Sequence, residues 1–381
     1  MQSLVHGDHD TRRQRFPVVD RFAYFAHAAV APYPAAVSDA IRGYADRVGS
    51  EGQFDHVLGD TEPRCRDLAA QVFGVRSEEV AFVPSTSAGL GTVSAGIAWR
   101  AGDNVIVGAD EFPSNVYPWL DLRRLGVEVR MLPDDWGDAG DVEKLVDRRT
   151  RLVALSSRHY VTGRPVFGLC ELGMWLRERS VLLCVDAIQS AGNEKICGEH
   201  VDFIVADGHK WLLAPKGIGI LTVREASMTH LRPATRGWKS VPDPKNLSLQ
   251  EGWAADAKRY EPGSLNEIGL VGLCAALDII VEAGLDTIAT SLSNLREHLL
   301  IELDRCGAGI LGEPRHARWG PIISFQLPGE DPAKTMARLR RADIVASLRE
   351  YRGDQYVRLS PHFYVTLDEV AHLGSVLRHT D

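Results

Sequence analysis

The sequence predicts an α/β protein with a mostly parallel central sheet, helices on both faces and a smaller α+β domain at the carboxyl end. Between residues 80 and 223, short apolar runs alternate with amphipathic segments, as expected for repeated strand–helix units. The runs are apolar at nearly every position, which is typical of strands buried on both faces. Beyond residue 266 the apolar pattern changes to long helices separated by single strands, which indicates an α+β arrangement.

Seven apolar runs are predicted to form the central sheet. In chain order they are residues 80–83, 104–107, 127–129, 152–155, 181–185, 203–205 and 217–223. Helical periodicity separates most of them, at residues 67–73, 89–99, 116–125 and 171–179. Strands joined through a helix usually lie parallel in one sheet, so we expect this region to form a single helix-covered sheet.

The rest of the chain is predicted to contain a long loop and a second domain. Residues 233–253 are rich in Pro, Lys, Trp and Gly and are expected to be irregular. Beyond them we predict helices over 268–283, 285–303, 332–341 and from 366, with strands at 322–327 and 356–359. The predicted division is an N-terminal arm over 1–22, a large domain over 23–265, and a small domain with its linking helix over 266–381.

The composition points to a protein that acts on small molecules. Its 381 residues are 45% hydrophobic and 25% charged, with a formal net charge of −8 at pH 7, which disfavours nucleic acid or an anionic membrane as the main partner. No signal segment or membrane span is evident. The six cysteines lack metal-ligand spacing and are expected to be free thiols. We therefore expect a cytoplasmic protein without a metal site.

Two predicted strand ends carry the most informative residues. Asp186 ends the apolar run 180–185, and Lys210 follows the run 203–205. A carboxylate and a lysine at strand ends suit pyridoxal phosphate, because the lysine forms the covalent link to the cofactor and the carboxylate pairs with its pyridinium nitrogen. The sequence therefore predicts an enzyme of amino-acid chemistry that uses this cofactor.

Two further strand ends offer a phosphate site and an aromatic face. Thr86 and Ser87 follow the strand at 80–83 and open a helix, where hydroxyls, backbone N–H groups and the helix dipole favour an anion. Simple capping of that helix is the alternative role for this segment. Phe112 follows the strand at 104–107 and can place its ring against the cofactor, although a phenylalanine in such a position is commonly a core residue.

The segments that carry these residues follow a known family pattern. Together they resemble class V aminotransferases, the fold-type I pyridoxal-phosphate family that includes cysteine desulfurases, selenocysteine lyases, isopenicillin N epimerase-like proteins and kynureninases. The matching segments are residues 24–29, 86–87, 111–112, 186–189, 208–210, 261–264 and 357–364. The resemblance covers nearly the whole chain and implies a fold-type I PLP-dependent transferase whose large domain binds the cofactor.

The resemblance implies a set of cofactor contacts. Lys210 would be linked to the cofactor and, once released by substrate, would act as the general base at Cα. Asp186 would hold the pyridine nitrogen, and Gln189 would reach the O3′ oxygen of the ring. Phosphate contacts are implied for four residues, namely Thr86, Ser87, His209 and, across a subunit boundary, Ser264. That last contact implies a homodimer with shared active sites.

The resemblance also implies a substrate side. Arg358 matches the arginine that binds the α-carboxylate of an amino-acid substrate, a task suited to the planar guanidinium. Three other residues are expected to line this side, namely His27, Tyr160 and Trp238. Tyr160 stands near a position where relatives often carry an asparagine to O3′.

Departures from the family pattern narrow the predicted reaction. Cysteine desulfurases carry a nucleophilic cysteine in the loop before the arginine strand, whereas residues 343–355 contain none. Phe112 stands where desulfurases place a histidine, so Lys210 is left as the main acid–base residue. Asp207 replaces a phosphate-binding serine and is expected to turn toward His209. We expect a C–S or C–Se lyase that works by β-elimination without a persulfide cysteine, with transamination and then epimerisation as alternatives.

Two other classes of protein fit the sequence less well. A non-catalytic scaffold of this fold would have lost the lysine or the aspartate, and both Lys210 and Asp186 are present. A Rossmann oxidoreductase would show a GxGxxG segment that opens a helix after the first strand, and the sequence has none there.

Overall fold

Helices and strands alternate along the described part of the computed structural model, which comprises residues 9–133, 136, 138–316 and 318–379. The helices are α1 His9–Arg15, α2 Ala35–Glu51, α3 Asp55–Leu58, α4 Thr61–Phe73, α5 Thr86–Gly96, α6 Tyr117–Leu120, α7 Ala139–Glu143, α8 Leu169–Glu178, α9 Glu267–Ala283, α10 Leu285–Arg305, α11 Pro332–Arg341 and α12 Leu367–Arg378. The strands are β1 Ala23–Tyr24, β2 Val80–Val83, β3 Asn104–Gly108, β4 Glu128–Leu132, β5 Thr150–Ser156, β6 Leu182–Asp186, β7 Phe203–Asp207, β8 Gly219–Val223, β9 Gly309–Ile310, β10 Ile323–Gln326, β11 Ile344–Val345, β12 Ser347–Tyr351 and β13 Asp354–Leu359.

A seven-stranded sheet with the order β2-β8-β7-β6-β5-β3-β4 forms the centre of the structure. Every predicted strand of this sheet is present, and the pairs within β7-β6-β5-β3-β4 are parallel. β8 is antiparallel to both neighbours. The connection from β7 to β8 contains no helix, and a parallel return requires a long crossover, so the chain reverses direction here. The predicted, mostly parallel sheet is confirmed.

Helices cover both faces of this sheet. β2, β3, β7 and β8 are buried at every position, which explains why their sequences are apolar runs without alternation. α5 packs directly on β7, because Gly89 leaves no side chain there: a Cβ atom on Gly89 would stand 2.4 Å from Cγ1 of Val205. This close packing sets the amino end of α5 beside the carboxyl end of β7.

The carboxyl-terminal part contains an antiparallel sheet with the order β12-β13-β10-β9, together with α10, α11 and α12. β1 pairs in parallel with β11, so residues at the two ends of the chain are hydrogen-bonded to each other. α9 packs against α2 and α4, which joins the predicted linking helix to the large sheet layer. The predicted division at residues 265 and 266 stays a prediction, and residues 1–8 of the predicted arm lie outside the described part.

Two local features differ from the sequence analysis. The helix predicted over 116–125 is two short pieces, α6 and a 3-10 turn over Asp121–Leu125. The buried indole of Trp119 in α6 donates to Oδ1 of Asn115 (3.0 Å). Cys170 and Cys197, expected as free thiols, are joined in a disulfide. Their Cα atoms lie 5.6 Å apart, a normal separation for a bridge.

The other cysteines, Cys65, Cys184, Cys274 and Cys306, are free. Among the described residues there is no group of three or more His, Cys, Asp or Glu side chains placed to hold a metal ion. In the same part of the chain, no single helix is long and apolar enough to cross a membrane, and α9 and α10 meet that criterion only as a pair bent by 78°.

Candidate active site

A cavity of about 510 Å³ opens at the carboxyl edge of the central sheet, where ligands bind in parallel α/β folds. The sequence-predicted residues that line it are Thr86, Ser87, Phe112, Tyr160, Asp186, Gln189, His209, Lys210 and Arg358. They come from the carboxyl ends of β2, β3, β5, β6 and β7 or the segments that follow them, and from β13, where Arg358 is the last residue but one. The strand order therefore brings together residues that are far apart in the sequence.

Asp186 and Lys210 form the electrostatic centre of the cavity. Asp186 is 2% exposed, and burial raises the pKa of its carboxyl group to about 6, while the N–H of Ile188, which donates to Oδ1 (3.0 Å), and the charge of Lys210 oppose the rise. Burial lowers the pKa of the Lys210 ammonium to about 8, against the attraction of Asp186 and with the help of Arg358 and Arg349. Lys210 is therefore partly neutral near neutral pH, as a nucleophile and general base must be.

The amino end of α5 offers hydroxyls and N–H groups to an anion. Ser85 is the N-cap and accepts from the N–H of Ala88 (3.2 Å). The hydroxyl of Thr86 accepts from the N–H of Asp207 (3.0 Å), so its own proton remains available to donate. Ser87 and Ser114 share a hydrogen bond of 2.8 Å between their hydroxyls. Ser85 and Ser114 also line the cavity and were missed, although Ser85 is recognisable in sequence as an N-cap residue.

Asp207 turns toward His209. Nδ1 of His209 lies 2.9 Å from Oδ1 of Asp207, although the two atoms do not form an aligned hydrogen bond. The sequence analysis expected this orientation, because a carboxylate that faced a phosphate group would repel it. His209 and Asp207 both line the cavity.

An aromatic ring and a side-chain amide both line the cavity that contains Lys210. Phe112 is 44% exposed, its ring centroid is 5.3 Å from that of Tyr160, and Nζ of Lys210 is 5.7 Å from the Phe112 centroid. Gln189 accepts from the indole N–H of Trp211 (2.9 Å) and donates to the carbonyl of Ala28 (3.1 Å). One amide hydrogen of Gln189 remains for a ligand oxygen.

Two arginines, Arg349 and Arg358, also line the cavity. Arg358 is 1% exposed; its Nη1 donates to the carbonyl of Tyr160 and its Nε to the hydroxyl of Ser347 (3.2 Å). Its Nη2 is buried and has no hydrogen-bond partner within the described residues. A buried hydrogen-bond donor without a partner destabilises the folded protein. A ligand with an acceptor atom would therefore bind favourably at Nη2.

Arg349 was missed by the sequence analysis. It lies on β12, in a segment treated only as the stretch before the arginine strand, and it lines the cavity. Ser347 is paired with Arg358 in the β12–β13 register, so Arg349, two residues further, lies on the same face as Arg358. Burial lowers the pKa of Arg358, and the charge of Arg349 adds to this effect. The alternation Ser347, Arg349, Tyr351 is the signal that could have identified the strand.

Three predicted site residues lie outside this cavity. His27 is fully buried, with Nδ1 3.1 Å from the carbonyl of Ser360 and Nε2 2.8 Å from the hydroxyl of Tyr364, so it packs the layer behind Ala28 and Ala29. Trp238 is 54% exposed on the loop after β8. Ser264 lines a separate cavity of about 520 Å³ with Glu261 and Tyr260. Its role toward a neighbouring subunit stays a prediction.

The sequence analysis assigned no role to Glu111. Its carboxyl group accepts from the N–H of Ser156 (2.5 Å) and from the Ser156 hydroxyl, and Ser156 is paired with Asp186 across β5 and β6. Burial raises the pKa of Glu111 to about 8, and nearby Asp186 and Asp110 add to the rise, against the two hydrogen bonds from Ser156. The shift favours the protonated form of Glu111 in the folded protein, and the hydrogen bonds with Ser156 anchor the loop that carries Phe112.

The sequence profile of the aminotransferase class-V family matches residues 23–373. The chain belongs to this family. It is 29% identical over 396 residues to a probable cysteine desulfurase of Methanothermobacter thermautotrophicus, covering 97% of this chain and 96% of that protein. It superposes on the apo cysteine desulfurase of Thermococcus onnurineus with a TM-score of 0.88, at 26% identity and 98% coverage of both chains.

A cystine C–S lyase in complex with its product cysteine persulfide has the same fold, with a TM-score of 0.85 and 23% identity over 95% of this chain and 99% of that one. The family match and these structural neighbours show that the chain has the fold-type I fold. They also show that it is a pyridoxal-phosphate enzyme of class V. The residues present fit the cofactor: the cavity offers a lysine of lowered pKa, a buried carboxylate, a helix amino end that carries hydroxyls, and an aromatic face. The cofactor supplies an electron sink for bonds at Cα.

Proposed function

We propose that the protein is a C–S lyase that eliminates the β-sulfur of an amino acid and uses no cysteine of its own to carry that sulfur. The observation that carries this proposal is the lining of the cavity. It combines Lys210 with two arginines, and no cysteine is among the described residues that line it. Of the free cysteines, Cys65, Cys184 and Cys274 are buried in the core and Cys306 lies on the Gly374 side of α10. Sulfur would therefore leave on the substrate fragment.

Each lining residue has a defined task in this reaction. Arg358 would bind the α-carboxylate through its buried Nη2, and this contact fixes which bond at Cα faces the cofactor. Lys210 would take the Cα proton, for which its lowered pKa suits it. Asp186, held by the N–H of Ile188, would keep the pyridine nitrogen protonated. Phe112 would cover the cofactor ring but cannot donate or accept a proton. Lys210 would therefore also donate the proton to the leaving sulfur.

The pair of arginines supports a particular substrate class. The α-carboxylate of a substrate would pair with one guanidinium, that of Arg358. Arg349 lies on the same face of the sheet and would remain for a second acidic group. Within the described residues Arg349 donates only to the carbonyl of Leu348 (3.0 Å). A substrate with a second carboxylate beyond the sulfur would pair with it. Cystine is such a molecule, and the cystine C–S lyase of the same fold acts on it; elimination would release cysteine persulfide, and hydrolysis of the other fragment would give pyruvate and ammonia.

The test is a substrate panel with the purified enzyme. Cystine, cysteine and S-methylcysteine are compared while pyruvate, sulfide and ammonia are measured. We expect pyruvate and ammonia from cystine with the highest kcat/KM. Arg349→Gln should lower kcat/KM for cystine by about 10- to 100-fold, the loss of one charged hydrogen-bonded contact, and should leave S-methylcysteine nearly unchanged. Formation of a stable pyridoxamine form without pyruvate would instead establish transamination, and equal losses on both substrates would refute the role of Arg349.

We also propose that the enzyme is a homodimer located in the cytoplasm. Ser264 is exposed and lines a cavity that does not contain Lys210, which suits a contact with the cofactor phosphate of a second copy. Sedimentation should give a dimer, and Ser264→Ala should weaken cofactor binding in that dimer. A monomer that binds the cofactor with full affinity would contradict the shared site.

A further inference from the structure

A second cavity of about 450 Å³ lies beside the active site. Ser157 and Ser190 line it, whereas Asp186 and Gln189 line the active-site cavity. The hydroxyls of Ser157 and Ser190 are 2.6 Å apart, and the N–H of Ser157 donates to the carbonyl of Asp186 (2.9 Å). α10 and residues 318–321 close the far side. The two cavities are thus distinct, and one segment of chain separates them.

The wall of this second cavity contains the disulfide. Cys170 is the second residue of α8, and Cys197 precedes the turn at Gly198–His200. A Cβ on Gly173 would stand 2.1 Å from the carbonyl oxygen of His200, so glycine allows α8 to approach that turn closely. Both cysteines are partly exposed and line the cavity, in contrast to the buried thiols of Cys65, Cys184 and Cys274. A small molecule in the cavity would meet the sulfur atoms directly.

The charged side chains around the disulfide are mostly basic. Six of them line the cavity, namely Arg158, Glu171, Glu194, Lys195, Arg296 and Arg318. Glu194 is engaged by Arg158, whose Nε lies 2.8 Å from Oε1. Asp286 on α10 adds a third acidic group, because its Oδ2 lies 2.6 Å from Nζ of Lys195. Four basic groups against three acidic ones leave a net positive charge, which favours anions. Lys195 also stands two residues before Cys197 in the sequence.

We propose that Cys170 and Cys197 form a thiol–disulfide exchange site for low-molecular-weight thiols that carry a carboxylate. The thiolate of the small molecule attacks Sγ of Cys197, the Cys170–Cys197 bond breaks, and its electron pair leaves on Cys170. A second thiolate then attacks the small-molecule sulfur of the mixed disulfide and releases Cys197 as a thiolate. Two thiolates are oxidised to one small disulfide, and the protein bridge is reduced to two thiolates.

The geometry decides which sulfur leaves. Cys170 lies in the first turn of the ten-residue helix α8, where the helix dipole stabilises a thiolate. A more stable thiolate is the better leaving group, so the attack is directed to Cys197. The mixed disulfide therefore forms on Cys197, beside Lys195. No step uses the active-site cavity, so this proposal does not rest on the proposed function.

The test uses the complete, cofactor-loaded protein purified in air. Peptide mass spectrometry without reductant should find the 170–197 link, with Cys65, Cys184 and Cys274 alkylated only after denaturation. Brief exposure to 3-mercaptopropionate, followed by an acid quench, should place the adduct on Cys197. At equal thiolate concentration, this anionic thiol should react about three- to tenfold faster than the neutral 2-mercaptoethanol, and the cationic cysteamine should be the slowest of the three. Arg318→Gln should reduce the preference.

Several results would overturn the proposal. They are the absence of the link in the aerobically purified protein, adducts mainly on Cys170, and equal rates for the three thiols. All of these measurements are made on the natural sequence, so they do not depend on whether a variant folds. Cys170→Ser, treated with the disulfide of 3-mercaptopropionate, adds a trapped adduct whose position on Cys197 can be read directly.

Discussion

Asp207 lies between the helix that offers its amino end to an anion and the histidine that faces the same cavity. Its backbone N–H donates to the hydroxyl of Thr86 (3.0 Å), while its carboxylate is 2.9 Å from Nδ1 of His209. One residue therefore connects the two groups expected to contact the cofactor phosphate. Its negative charge is turned toward the imidazole, and its N–H toward the threonine.

We predict that Asp207→Asn weakens cofactor binding. The imidazole loses its charged partner and its fixed orientation, and the loss of one charged contact corresponds to about a tenfold rise in the dissociation constant of pyridoxal phosphate. The constant is measured by titration of the apoenzyme and monitored by absorbance. Asp121→Asn, which removes an exposed carboxylate paired with Arg124, serves as the control. Tighter binding in Asp207→Asn would mean that repulsion of the phosphate outweighs the orientation of His209.

Lys210→Ala should remove the covalent link to the cofactor. We expect the absorption band of the bound cofactor to be lost and the rate to fall by at least about 10³-fold, because both the attachment point and the general base are removed. Circular dichroism should show an intact fold. Lys216→Ala changes an exposed lysine outside the cavity and should have no effect. An unchanged spectrum in Lys210→Ala would exclude this residue as the attachment point.

Arg358→Lys should impair substrate binding while the bound cofactor keeps its spectrum. The ammonium keeps the charge but loses the planar fork whose Nη2 lacks a partner, so we expect kcat/KM to fall by about 10²-fold. Steady-state kinetics with the true substrate measure the effect. Arg340→Lys, an exposed arginine at the end of α11, is the matched control. If kcat and KM both held in Arg358→Lys, the carboxylate would have to bind elsewhere.

Glu111 should make the protein less stable as the pH rises. Its pKa is near 4.5 in the unfolded chain and about 8 in the folded protein, so between these values only the folded state keeps the proton. The contribution of Glu111 to the free energy of unfolding is fully present below pH 4.5. It is lost as the pH rises to about 8, and the loss is at most about 5 kcal/mol. Glu111→Gln has no proton to lose and should show a smaller decline, as measured by urea unfolding of the apoenzyme at pH 5 and pH 8.

The control for this titration is Glu178→Gln, which changes an exposed glutamate on α8. Its stability should follow that of the natural sequence across the same pH range. If Glu111→Gln lost stability with pH as steeply as the natural sequence does, Glu111 would be ionised in the folded state, and its hydrogen bonds with Ser156 would then hold a buried anion.

The sequence predicted the features that depend on local pattern and strand order. Buried strands are apolar at every position, and the carboxyl ends of parallel strands share one edge, so Thr86, Asp186 and Lys210 could be expected at one site. β8 also follows this pattern, but its direction depends on the length of the connection from β7. The orientation of Asp207 toward His209 could be anticipated because a carboxylate and a phosphate repel each other.

The features that were missed depend on contacts between distant segments. Arg349 joins the site only because β12 pairs with β13, and no local pattern reports that register. The His27 ring lies outside the cavity because it is hydrogen-bonded to Ser360 and Tyr364. These two residues are more than 300 positions away in the chain. The bridge between Cys170 and Cys197 follows from the approach of α8 to the turn at 198–200, which sequence spacing does not reveal.

The pairing of β1 with β11 has a consequence for the order in which the site is completed. Phe25 is hydrogen-bonded on both sides of this junction. Its N–H donates to the carbonyl of Val345 (2.8 Å), and its carbonyl accepts from the N–H of Ser360 (2.7 Å). Ala28 and Ala29, just beyond, form part of the cavity wall. During synthesis, the residues from 86 to 210 are all made before this wall can close. The proposed carboxylate-binding arginines and this wall come together only after residues 344–360 have been made and have paired with residues 23–27.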